Sequence, residues 1–133
     1  MPDTTAVTTG RFYESSVNGS VHVIRELYTA DGAQAAASVV RMIPVKAGTK
    51  IIDIKIKFSA FGAGRTIDVG DGGDVDRFLD GGDVSSAGVL SCNAAAGFFH
   101  EYAADDTIDV TILGDTMPDE GTLEIIVTYT MYQ

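Results

Sequence analysis

TKIIDIKIKFSAF, residues 49–61, decides the fold class. Ile52, Ile54, Ile56 and Phe58 fall on every second residue, and Asp53, Lys55, Lys57 and Ser59 fall between them. Side chains alternate across a β-strand, so one face receives four large apolar groups and the other receives charge. A helix would scatter the same set around its axis.

Working outward, the same period recurs. SVHVIRELYTA (20–30) alternates without a clean face, but its β-branched content favours a strand. ADGAQAAASVV (30–40) offers a short helical turn at Ala33–Ala37, which we read instead as a loop into a strand over Val39–Ile43. Pro44 and Gly48 then bracket a turn. Downstream, RTIDVG (65–70) reads as a short strand. DDTIDVTILGD (105–115) sends Ile108, Val110 and Ile112 one way. TLEIIVTYTMY (122–132) places Leu123, Ile125, Val127, Tyr129 and Met131 on one face, with Thr122, Glu124, Thr128 and Thr130 on the other and Ile126 as the exception. Seven or eight strands result, without a long amphipathic helix. With no helices to cover them, two antiparallel sheets must cover each other. The expected fold is all-β, an antiparallel β-sandwich of jelly-roll type. Residues 1–20, polar and without a sustained period, read as an N-terminal arm or irregular first strand; residues 21–133 form the single domain.

Composition narrows the function. At 133 residues and 45% apolar content the chain suffices for one core. Nineteen acidic against nine basic side chains give a net charge of −10, which repels phosphate backbones and disfavours nucleic acid as a partner. No apolar run is long enough for a membrane span, and MPDTTAVTTGRFYESS lacks the basic start and apolar core of a secretory signal. Cys92 is the only cysteine, so no intrachain disulfide forms; cytoplasmic synthesis fits best.

The stretch richest in chemical groups is VGDGGDVDRFLDGGDV (69–84), with five aspartates and five glycines. Asp71, Asp74, Asp76, Asp80 and Asp83 offer oxygen ligands of the kind calcium takes. The spacing fits no EF-hand register, however: counting from Asp74, the fifth and sixth positions are Phe78 and Leu79. A phosphate cradle would need the P-loop lysine, which is missing. We therefore read the stretch as turns, with aspartates accepting backbone hydrogen bonds and glycines taking positive φ. Nucleophilic catalysis by Cys92 with His100 competes with the reading of a lone buried cysteine as apolar filler, which we prefer. His22 and His100 are too few and too distant for an imidazole-based metal site of the cupin kind. Paired carboxylates remain numerous, and an acid-dependent hydrolase stays in the set of readings as its weakest member. No catalytic, cofactor-binding or metal residue is assigned.

The segment RTIDVGDGGDVDRFLDG resembles that of small tailed-phage structural proteins of the capsid decoration, or cement, type. The resemblance rests on the Gly70-Asp71-Gly72 turn followed by Asp76-Arg77-Phe78. PVKAGTKIIDIKIKF upstream, and EYAADDTIDVTILGD with GTLEIIVTYTMY downstream, are similar to strands of that family, so the likeness spans about residues 39–132. It implies a non-enzymatic virion protein, made in the host cytoplasm, that sits on the capsid surface. Its implied partners are the major capsid protein and its own copies, as a homotrimer. It also suggests that Arg77 pairs with a neighbouring aspartate at the surface while Phe78 anchors the loop in the core. Candidate partner contacts are Arg11, Phe12 and Tyr13 in the arm and Phe98, Phe99 and Tyr102; for Phe98 or Phe99 singly, core packing is the competing reading. The alternative function is a carbohydrate- or calcium-binding β-sandwich module of a phage attachment structure.

Overall fold

A computed structural model describes residues 20–131. Eight strands run in chain order: β1 (Val21–Thr29), β2 (Val39–Val45), β3 (Thr49–Phe58), β4 (Thr66–Asp71), β5 (Leu79–Asp83), β6 (Gly88–Ser91), β7 (Asp106–Leu113) and β8 (Thr122–Met131). They form two antiparallel four-stranded sheets, ordered β1-β8-β3-β6 and β2-β7-β4-β5. Every connection crosses from one sheet to the other except the one joining β4 to β5. This interleaving is the jelly roll: each sheet is assembled from strands distant in sequence, and neither closes without the other.

The core lies between the sheets. Ile54, Ile56 and Phe58 of β3 and Leu123, Ile125 and Val127 of β8 face Ile67 and Val69 of β4 and Ile108, Val110 and Ile112 of β7, all buried. The alternation expected in β7 and β8 is present, and Ile126 is exposed on the outer face. Thr130 departs from its row and is buried. The loop expected over Ala33–Ala37 is also present, with Gln34 bridging to Met117.

Three sequence expectations need correction. Ile52 does not point inward. Ile51 pairs with Tyr129 and Asp53 with Thr128, so Ile52 is the extra residue of a β-bulge. A bulge shifts parity by one, and Ile51 takes the buried place while Ile52 is exposed. Pro44 does not open the turn but lies within β2, opposite Thr107. A strand accepts proline at a sheet edge, where its missing N–H leaves no ladder bond broken. Finally, residues 79–83 are not a turn but strand β5, paired to β4. Its Leu-Asp-Gly-Gly-Asp sequence has little intrinsic β preference, and the pairing comes from β4 alongside.

Candidate functional site

The acidic stretch 69–84 is the one hairpin that stays within a sheet, and its tip is organised around Asp71. That side chain is fully buried. Arg77 Nε donates to its Oδ2 at 2.6 Å and Arg77 Nη2 to its Oδ1 at 3.3 Å. The Tyr102 hydroxyl donates to Oδ2 at 2.8 Å. The backbone N–H groups of Gly73 and Asp74 donate to Oδ1 at 3.0 and 2.9 Å. Burial alone pushes the Asp71 carboxyl up, but the hydrogen bonds from Arg77, Tyr102 and Asp74 outweigh it and hold the group below its ordinary value. The same pairing raises Arg77. The ion pair is thus interior rather than the surface pair the sequence suggested.

The glycines of this hairpin serve space more than φ. Only Gly81 among them has a positive φ, at 69°. A Cβ on Gly70 would lie 2.1 Å from the carbonyl oxygen of Asp74, so only glycine lets the chain fold back over itself at this position. Phe78 closes the turn from below. It is 1% exposed, and its N–H donates to Val69 O at 2.8 Å.

As a metal centre the stretch is poorly prepared. Asp71 already has five donors, and Asp74 Oδ1 accepts from the Asp76 N–H at 3.3 Å. Asp68, Asp76 and Asp80 do bring carboxylate oxygens within 4.8 Å of one another. Asp68 in that trio accepts the Gly81 N–H at 2.8 Å. The Asp76 carboxyl is raised, first by its hydrogen bond with Asp74, then by desolvation and by the charge of its acidic neighbours.

Cys92 is buried, and desolvation pushes its thiol up to about 12. A reactive cysteine needs the opposite shift. His100 is lowered by burial and then by Arg77, and its ring meets Tyr102 edge-on at 4.7 Å. These two residues have the character of packing groups.

The exposed feature is the turn after β6. A short 3-10 turn, Ala95–Gly97, is followed by Phe98 and Phe99. Gly97 is required here, since a Cβ would lie 2.3 Å from the Phe78 ring. Phe98 is 81% exposed and Phe99 is also exposed, with a φ of 55°. A large residue rarely adopts this left-handed conformation, which costs on the order of 1 kcal/mol or more. Lys50 Nζ sits 4.8 Å from the centre of the Phe99 ring. Beside Phe98 opens a shallow hollow of about 160 Å³, lined in part by Ile52, Asn93 and Cys92. Sequence reasoning named both phenylalanines but missed Ile52 and Lys50. The bulge puts Ile52 on this surface, and only the doubled isoleucine hinted at it. Tyr102 is buried, with its hydroxyl committed to Asp71. Arg11, Phe12 and Tyr13 lie outside the described residues.

Comparison with known proteins bears on the fold. The sequence matches no protein-family model and no curated protein. Solved structures do match. A chain of the cyanophage Pam1 capsid asymmetric unit superposes with a TM-score of 0.73 at 14% identity, covering 93% of this chain and 95% of its own. A chain of the capsid of Ralstonia phage GP4 gives 0.75 at 16% identity, over 93% and 92%. A chain of the acid-stable capsid of Helicobacter pylori bacteriophage KHP30 gives 0.64 at 9%, over 86% and 90%. The shared property is the fold. This jelly roll also occurs in phage capsids. Coverage is nearly complete in both directions, so the likeness extends over the whole sandwich and is not confined to a few strands.

Proposed function

We propose that this chain is a non-enzymatic structural protein of a phage virion, a capsid decoration or cement protein. In this reading it binds the shell of the major capsid protein, stabilises it, and associates with its own copies as a homotrimer. The observation that carries the reading is the end-to-end match of the sandwich to chains from three phage capsids. The surface supports it: Phe98, Phe99 and Ile52 form an exposed apolar patch on a molecule whose net charge is −10. Apolar side chains gathered at the surface favour a protein partner. Weak contacts of this kind become strong when symmetric copies engage together, because each further contact is then made at high effective concentration.

The test is co-sedimentation with capsids that lack this protein. The wild-type chain should pellet with the shells and raise the temperature at which they open. Phe98→Ser with Phe99→Ser should lower the bound fraction. A chain that stays in the supernatant at saturating concentration would defeat the proposal. The alternative, a calcium-binding module of an attachment structure, draws on the approach of Asp68, Asp76 and Asp80. Calcium titration followed by thermal melting separates the two, since a ligand of the native state must raise Tm.

A further inference from the structure

The four edge strands of the two sheets differ in how they are protected. β2 carries Pro44 and a register shift between Arg41 and Ile43. β5 is five residues long, has a register shift against β4 and contains Gly81-Gly82. β6 is four residues long. Proline, bulges and shortness are three of the devices by which sheets avoid pairing at their edges. β1 has none of these three, and its two charges, Arg25 and Glu26, are of opposite sign. It runs nine residues in unbroken register against β8, from Val21 opposite Thr130 to Thr29 opposite Thr122. Its outer face shows Val21, Val23 and Leu27, which are 62%, 65% and 52% exposed. The one cation on that face, Arg25, is already paired with Glu124. Among the described residues no strand lies along the far side of β1.

We propose that β1 pairs with β1 of a second copy, antiparallel about a two-fold axis at Ile24, joining two four-stranded sheets into one of eight strands. The sequence of β1 is complementary to itself in this register. Ile24 meets Ile24 of the second copy. His22 faces Glu26, an imidazole donor against a carboxylate. On the outer face Val21 meets Leu27, and Val23 lies against the aliphatic stem of Arg25. Residues directly opposite each other on one face interact, and none of these pairs sets like charges together. Registers shifted toward the C-terminus fail, since an axis at Arg25 would oppose two guanidinium groups and one at Glu26 two carboxylates. An axis at Val23 opposes no like charges but sets His22 against Ile24, loses the His22–Glu26 pair and leaves Leu27 without a partner on β1. A two-fold contact uses one patch on both partners and closes after two copies. It is independent of the capsid reading: a two-fold contact cannot build the homotrimer, so in that reading it links a subunit of one trimer to a subunit of another, and it uses a strand edge distinct from the Phe98 patch.

Cysteine cross-linking of the full chain tests this. At the axis the two Ile24 Cα atoms would be about 4.5–5.5 Å apart, within disulfide range. Under mild oxidation Ile24→Cys should shift from 14.0 kDa to twice that mass on a non-reducing gel. Val21→Cys should not, because the two copies of residue 21 would be six residues, or about 20 Å, apart. Val21→Cys mixed with Leu27→Cys should cross-link, since those positions face each other. Wild-type chain, with only the buried Cys92, is the blank. Absence of covalent dimer from Ile24→Cys at any concentration would overturn the pairing, whether the chain's own first nineteen residues or nothing then covers the edge. Equal cross-linking by Val21→Cys alone would overturn the register. Either failure leaves the co-sedimentation result untouched.

Discussion

Two turns touch on one flank of the molecule and treat their aromatic residues in opposite ways. The 72–78 turn sends Phe78 into the core, while the 95–100 turn leaves Phe98 and Phe99 outside. They are joined directly: Ala94 N–H donates to Phe78 O at 3.1 Å, and Gly97 packs on the Phe78 ring. The first turn has its own interior. Asp71 gathers donors from Arg77, Tyr102 and two backbone N–H groups, and Phe78 plugs the space beneath. The second rests on the first, and its Phe98 stays outside although an unfilled hollow lies beside it. Hydrophobicity alone does not decide which phenylalanine is buried; Phe78 holds the place between the sheets.

The contrast is broken most severely by Phe78→Ala. Removing a fully buried aromatic ring typically costs about 3–5 kcal/mol, and here it also withdraws the floor beneath Gly97. The substitution should lower Tm by more than Asp71→Asn, Asp74→Ala or Phe98→Ser, and urea unfolding reads it directly. A loss below about 1 kcal/mol would mean the two turns are equally superficial.

Asp71→Asn comes next. It keeps the shape but weakens the bonds from Arg77 and Tyr102, each of the charge-assisted kind worth about 1.5–3 kcal/mol. The effect carries a pH signature. Because the folded carboxyl lies below its ordinary value, the unfolded state binds a proton more readily. The stabilisation is therefore complete above the unfolded pKa and is lost as pH falls through the folded one. The stability gap between wild type and Asp71→Asn should be widest near neutrality and close below about pH 4. A gap independent of pH would show that the pair contributes through packing alone.

How much of this is legible in the sequence follows from periodicity. The fold class is, since β3, β7 and β8 repeat at two residues and no segment repeats at 3.6. Phe78 as an anchor and Arg77 pairing with an aspartate are implied by the family resemblance rather than by periodicity. The partner of Arg77 and its depth are not, because Tyr102 comes from another part of the chain and sequence separation hides the cluster. Ile52 is misplaced because a strict alternation cannot register a bulge inside an Ile-Ile pair. β5 is missed because its residues contribute little of their own to a strand. The exposure of Phe98 and Phe99 has no sequence signal, since it depends on Phe78 already occupying the space beneath them.

Asp74→Ala tests the first turn more gently. The backbone carbonyl of Asp74 accepts from the Asp71 and Arg77 N–H groups, whereas its side chain accepts a long bond from the Asp76 N–H and meets the Asp76 carboxyl. The backbone survives the substitution, so the expected loss is about 0.5–1 kcal/mol. It also removes the neighbour that raises the Asp76 carboxyl, which NMR titration would detect as a downward shift at Asp76. A loss equal to that of Phe78→Ala would make the hairpin a polar device in which the ring counts for little.

Phe98→Ser should have the smallest effect on stability. The ring is mostly in solvent, its one aromatic neighbour is Phe99 at 6.4 Å, and serine suits the surface at least as well. The expected change is within about 0.5 kcal/mol in either direction. If the exposed turn exists to meet a partner, the same substitution should weaken capsid binding while the melting curve stays in place. That dissociation between binding and stability is what separates a contact residue from a packed one. Phe99 is the less clean probe, because its left-handed backbone and its Lys50 contact both change when the ring is removed. A Phe98→Ser protein that melts several degrees lower would mean the second turn is built like the first, with its aromatics supporting the fold.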